Sequence, residues 1–319
     1  MKNTRKGFTL IELTVVLVIT GLLAYAGIQA TLNIYKNYLQ SRAINTLEAQ
    51  TELVLEQISK RLSIRVRGST IGKKHDGTII PTSAVGLDAT YTILEWVSYS
   101  YESFQDGGWS GLADLDSPLT SARNAADNSG TIATPGSRLV TPVLNEQSTA
   151  NQNISDLTIT SNNLAAGRAS IANQNIGIMF KGVNINPLTS FGYNNTQAQS
   201  VGVVTNLTTT NNVIAFRNYR SNFISEQYYL LHTAYAVEPG DTNGDGDFDL
   251  FLRYNFRPWV GEEYDDANTP SSLLATNVTR FNFTEANGVM ALKLCIRDAG
   301  RSLSQAEAET TVCKTKAIY

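Results

Sequence analysis

From Phe8 to Ile28 the chain reads FTLIELTVVLVITGLLAYAGI, a run with one charge in it, and after it the apolar positions retreat to one side. At about 1.5 Å per residue this run makes roughly 31 Å of helix, the thickness of bilayer hydrocarbon. Beyond it Ile44, Leu47, Val54, Leu55, Ile58 and Leu62 recur at three- and four-residue steps with polar residues between, and no proline interrupts Thr31 to Ser63. That period predicts an amphipathic helix continuing the span, so that one element, about 82 Å long if unbroken, passes from an apolar solvent onto the flank of a folded body. A break near Gly27 into two helices is the alternative.

After Gly72 the period falls to two. Tyr91 to Tyr101, Ile176 to Val183, Asn212 to Tyr219, Gln227 to Val237, Phe248 to Asn255, Val278 to Phe283, Val289 to Arg297 and Thr311 to Tyr319 are rich in β-branched and aromatic residues and bounded by Gly, Asn and Asp, which predicts strands. Between about 106 and 175 Ser, Thr, Asn, Ala and Gly dominate, and a loop-rich insertion is expected there. The expected fold class is α+β: a long N-terminal transmembrane and amphipathic helix on a mostly antiparallel sheet. Its divisions are residues 1–7, a span over 8–28, the amphipathic half over 29–67, and a β-rich body over 68–319.

Composition narrows the function. The 319 residues are 42% hydrophobic and 17% charged, enough for a buried core, and the formal net charge of −3 provides no field for a polyphosphate, so nucleic acid is disfavoured as a partner. Arg61, Arg65, Arg67, Lys73 and Lys74 cluster where the helix should end, and cations are favoured beside exposed carbonyls, which is preferred over a DNA-binding patch. His75 in a loop and His232 in an aromatic strand leave little histidine chemistry. No nucleophile elbow, P-loop, H-E-x-x-H or C-x-x-C occurs, so the chain is not expected to be an enzyme. A membrane-anchored periplasmic hydrolase is the rival class.

Lys2, Arg5 and Lys6 precede the span, which keeps the N-terminus cytoplasmic and exports the rest. Glu12 inside the run would cost on the order of 2.5 to 3.5 kcal/mol unpaired, so it asks for a partner. Cleavage between Gly7 and Phe8 would create an α-amine able to meet the Glu12 carboxylate of a neighbouring helix. The block KGFTLIELTVVLVITGLLA resembles the class III signal of the type IV pilin and pseudopilin family. The resemblance implies that a prepilin peptidase removes residues 1–7 after Gly7, that Phe8 becomes N-methylated, and that Glu12 docks the subunit. It also implies other pilin or pseudopilin subunits and an inner-membrane assembly platform as partners, and a single-pass inner-membrane protein that moves into a filament. Gln29 stands where major pilins often have a proline, and the body is larger than that of a typical major pilin. Its late hairpins resemble minor pilins of the PilW type or J-type minor pseudopilins. A minor subunit of a type IV pilus is therefore expected, with a type II secretion pseudopilin, a competence DNA-uptake subunit and a tip adhesin as alternatives. Removing the three leader cations leaves 22 Lys plus Arg against 28 Asp plus Glu, a balance of −6.

Two further features belong to the body. Asp241, Asn243, Asp245, Asp247 and Asp249 place oxygen donors at alternate positions around Gly244 and Gly246, a pattern that suits calcium. Leu252 occupies the twelfth position, where an EF-hand has Glu, so a hairpin calcium loop is expected, with Asp247 ligating through its carbonyl and Glu262, Glu263, Asp265 or Asp266 as further donors. A metal-free turn is the alternative. Cys295 and Cys313 are the two cysteines. Export to an oxidising compartment favours a bond between them, which resembles the C-terminal disulfide loop of many pilins, with two buried free thiols as the alternative.

Overall fold

The computed structural model describes residues 9–101, 104, 109–121, 123–137, 174–208, 212–240, 246–298 and 310–319. Helix α1, Leu10–Leu62, is unbroken through Gly27 and Gln29, so the two-helix alternative falls. It stops at Ser63, short of 67, because Arg65, Val66 and Ser69 turn the chain toward the sheet through backbone bonds to Leu62, Val97 and Val66. Arg61 and Arg65 donate to the carbonyls of Gln57 and Leu62, as cations at a helix C-terminus should.

Among the described residues twelve antiparallel strands form one sheet: β1 (Ile71–Lys73), β2 (Ile79–Pro81), β3 (Ile93–Tyr99), β4 (Gly130–Ala133), β5 (Gly177–Phe180), β6 (Gly202–Thr208), β7 (Val213–Arg217), β8 (Tyr228–Gly240), β9 (Phe248–Phe256), β10 (Ser271–Ala286), β11 (Val289–Arg297) and β12 (Thr311–Ile318). The order is β12-β11-β10-β9-β8-β5-β6-β7-β4, with β3 also on β8 and β1 between β2 and β3. Leu231 of β8 pairs with both Tyr99 and Gly177, so β3 and β5 take opposite edges of β8. Asn287 and Gly288, both at positive φ, make the tight turn between β10 and β11 whose twist matches the strands.

All eight expected strands are present. β1, β2, β4 and β6 were not expected, and β4 lies inside the stretch read as a loop-rich insertion. It pairs with β7 and buries Ile132 with Trp109, Phe180 and Phe216. Gly130 sits against the Phe216 ring, where a Cβ would come within 2.6 Å, so a small residue is required there. Residues 138–173 lie outside the described residues.

The sheet is covered on both faces. Leu94 and Trp96 of β3, with Tyr235 and Val237 of β8, join the helix core around Leu55, Ile58 and Leu62. The alternate residues Ile93 and Val97 join Ala234, Ala236, Phe191, Tyr193 and Trp259 on the other face. A strand buried on both faces loses the polar half of its alternation, and β3 and β8 read accordingly.

Two ionisable groups are trapped in this second layer. Burial pushes the Glu95 carboxyl up to about 8, with Lys73 opposing and Glu263 and Asp265 adding to the rise. Burial, with Arg257 adding to it, pushes His232 down to about 3. An unfolded chain would ionise Glu95 above about pH 4.5, so stability falls as pH rises from there to about 8. It would protonate His232 below about 6.5, so stability also falls as pH drops from there to about 3. The two slopes oppose each other between pH 4.5 and 6.5. We therefore expect the thermal midpoint of the full chain in detergent to be flat in that interval and to fall on both sides. In Glu95→Gln the alkaline loss should shrink; an unchanged alkaline limb would place the titration elsewhere.

Candidate functional site

The first half of α1 owes nothing to the body. Residues 9 to 38 are all exposed, with Leu10, Ile11, Leu22, Leu23 and Ile34 among the most open apolar side chains. Its polar side chains are turned inward: the hydroxyls of Thr14, Thr20 and Thr31 donate to the carbonyls of Ile11, Val16 and Gly27 on their own helix. What remains as far as Ile28 is an apolar rod of about 20 residues, which water does not tolerate bare and which lipid or like helices would cover.

The charge in that rod has a local role. Thr9 is the N-cap, its Oγ1 accepting from the Glu12 backbone N–H at 3.4 Å while the Glu12 carboxylate accepts from the Thr9 N–H at 3.3 Å and from its hydroxyl at 3.1 Å. This reciprocal pair satisfies two orphan donors and puts a negative charge at the positive end of the helix. Gly7 and Phe8 lie outside the described residues. The exposed carboxylate of Glu12 is therefore placed at the very end of the rod, one turn from where Phe8 joins it.

The second half holds the rod to the body. Ala43, Leu47, Thr51, Val54, Leu55, Ile58 and Leu62 form one buried stripe, and Leu55, Ile58 and Leu62 are sealed against β10, β11 and β12. Along its margin the Lys314 ammonium meets the Glu52 carboxylate at 3.1 Å, and Lys316 meets Glu56. Both lysines are on β12, an edge strand, and a disulfide joins Cys313 of β12 to Cys295 of β11, directly opposite in register. The expected bond is present, and the free-thiol alternative falls. Closing that loop is worth about 3 kcal/mol in the chain-entropy model, which keeps the strand under the helix in place.

Of the expected calcium ligands, Asp241, Asn243 and Asp245 lie outside the described residues. Asp247 and Asp249 lead into β9 beside Gly246, which takes the left-handed φ of +90 that the motif's turn needs. The Asp247 carboxylate is buried and accepts from Arg297 Nε at 2.6 Å. The suggested further donors are engaged elsewhere: Glu262 with Arg257 at 2.8 Å, Glu263 with Lys73 at 3.4 Å, and Asp266 with the Glu263 backbone N–H at 2.8 Å. Among the described residues no group of three or more His, Cys, Asp and Glu side chains is arranged to hold a metal.

The basic cluster is mostly absorbed by the fold. Lys73 lies 4.7 Å from the Tyr264 ring and Lys74 4.5 Å from that of Tyr91. Arg65 bonds the Gly288 carbonyl at 2.9 Å and faces Glu285, which accepts from Thr70 and Thr82. Two features escaped the sequence reading. One is the burial of Glu95, and separately of His232 beside Arg257, signalled only by charges inside apolar strand runs. The other is an aromatic cavity beyond the end of α1, assembled from distant segments.

The family described as the prokaryotic N-terminal methylation motif matches residues 2–24. No curated protein and no solved structure matches the chain.

The division of labour at the anchor is measurable by urea denaturation of the full chain in detergent. Leu55→Ala, 1% exposed in the sealed part of the stripe, should cost about 2 to 5 kcal/mol. Lys316→Ala should cost less than about 1 kcal/mol. A reversed order would mean that charge, and not the apolar stripe, seats the helix.

Proposed function

We propose that the chain is a minor structural subunit of the type IV pilin and pseudopilin family that primes or caps a type IV pilus or a related filament, a reading supported by the methylation motif over residues 2–24. The coarser statement is that of a pilin-like, membrane-anchored protein processed by prepilin peptidase. The observation that carries the finer one is the exposed rod with Glu12 at its end: an apolar stretch whose side chains stand open, with one carboxylate at its N-terminus. Before assembly the rod stores the subunit in the inner membrane. Removal of residues 1–7 makes Phe8 an amine within a turn of Glu12, and in a bundle of such rods the carboxylate of one meets the amine of the next, where low dielectric strengthens their attraction. The role is one of assembly, without a chemical step. The Glu12 docking applies equally to a pilus and to a secretion pseudopilus.

We also propose that the loop between β8 and β9 binds calcium through the side chains of Asp241, Asn243, Asp245 and Asp249 and the carbonyl of Asp247. The ion pair of Asp247 with Arg297 favours this reading, because it takes that carboxylate out of the ligand set and leaves the carbonyl.

Glu12→Gln keeps the size and removes the charge. Filaments sheared from cells should contain at least tenfold less of this variant than of the wild type while the membrane pool is unchanged; equal incorporation would end the docking role. Calcium at millimolar concentration should raise the thermal midpoint of the wild type relative to chelator and leave that of Asp245→Ala unmoved. Equal midpoints for the wild type in calcium and chelator would refute the ion.

A further inference from the structure

A cavity of about 640 Å³ opens where the chain leaves α1. Its walls come from the helix exit, from β3, from β5 and from the start of β8. That volume is in the range of small-molecule sites. Because its lining begins at Ser63, one residue past the helix end, the cavity sits some 50 Å along α1 from Ile28, at the pole of the body opposite the membrane.

The lining has a definite chemistry. Aromatic faces are supplied by Tyr99, Tyr101, Phe104, Trp109 and Tyr229, with Trp109 tilted against Phe104 at 5.1 Å and against Tyr228 at 5.7 Å between ring centres. Cations are supplied by Arg65, Arg67 and Lys181, and no acidic side chain lines the cavity among the described residues. Arg67 and Lys181 are exposed at the rim. Arg65 is 4% exposed, and its Nε–H is buried without a hydrogen-bond partner although the other nitrogens are engaged. A buried guanidinium donor left unpaired beside a polar cavity is costly unless an acceptor enters. Ser63, Ser110 and Gln227 add neutral hydrogen-bonding groups.

The geometry points to a binding site for an acidic sugar residue, a pyranose carrying a carboxylate. Stacking on the apolar C–H face of a pyranose uses the rings, its hydroxyls use the serines, the glutamine and the phenols, and its carboxylate uses Arg67 and Lys181. A nucleic-acid strand fits less well. The three cations line one pocket, and the mature chain at −6 repels a polyanion that must lie along its surface. The site works with the chain anchored singly or polymerised, so it does not stand or fall with the filament reading.

The test uses the full chain in a detergent that contains no sugar, with saturation-transfer NMR as the readout. Glucuronate should receive transfer to its ring protons, with weaker transfer to glucose. In the double variant Arg67→Gln/Lys181→Gln, the apparent affinity for glucuronate should fall at least tenfold while the thermal midpoint stays that of the wild type. Absence of transfer to glucuronate, or equal affinity in the double variant, would overturn the site. Displacement of glucuronate by an equal concentration of tetrathymidylate would overturn it in favour of single-stranded nucleic acid. Phe104→Ala, at an exposed ring, keeps the stacking contribution testable should the double variant fold poorly: it should weaken transfer severalfold, and unchanged transfer would count against the site.

Discussion

A single helix has to satisfy two solvents, and the rest of the structure follows from where it changes between them. Up to Tyr38 every side chain of α1 is open, and from Ala43 one stripe is buried. A helix apolar all round can be stable only in lipid or among its own kind, and a helix apolar on one side must find a sheet or another helix. The sheet can therefore touch only the last twenty or so residues of α1. The exit of the helix is fixed to the same sheet, through Arg65 on the Gly288 carbonyl and its neighbour Glu285, so the rod projects from the body at an angle set by covalent and packed structure together.

The sheet meets this demand at its C-terminal end. β10, β11 and β12 are consecutive hairpin strands, and their inward residues Phe281, Phe283, Leu292, Leu294 and Ile318 meet the stripe. β12 is an edge, and edges invite pairing with other chains. Here its two lysines are drawn over the helix toward Glu52 and Glu56, and Cys313 ties it to Cys295, so the edge is both charged and held. The other end of the sheet, around β4 to β7, never meets the helix and builds its own core from Trp109, Phe180, Phe216 and Tyr219. That core has no contact with the rod, which leaves it free to shape the cavity.

How much could be read without coordinates follows from these contacts. The helix, its apolar span and its stripe were legible because periodicity alone records them, and the eight long strands because β-branched and aromatic runs survive burial on one face or two. β1 and β2 were missed because three residues are too few to show a period, and β4 because GTIA has little apolar bulk of its own and depends on Phe216 to cover Gly130. The disulfide was legible from compartment and family likeness, and its register came only with the pairing of β11 and β12. Glu95 sits in ILEWVSY, where a charge inside an apolar run was visible, but its proximity to Lys73 and Glu263 depends on β1 and on a loop some 170 residues away. For the same reason the aromatic cavity was invisible: no single stretch of chain contains it.

The separation of the two ends has a functional consequence. In the proposed assembly the apolar rod and Glu12 must suit neighbouring subunits, so their chemistry is constrained along their whole length. The cavity lies beyond the other end of the same helix, lined by the residues that follow it and by side chains of β3, β5 and β8 that are not among those packed on the stripe. Substitutions at its rim, such as those at Arg67 and Lys181, touch neither the apolar stripe nor the Arg65 and Glu285 contacts that fix the exit angle. The proposed recognition at the pole can therefore change while the proposed assembly is held fixed, with α1 transmitting position from one end to the other and little else.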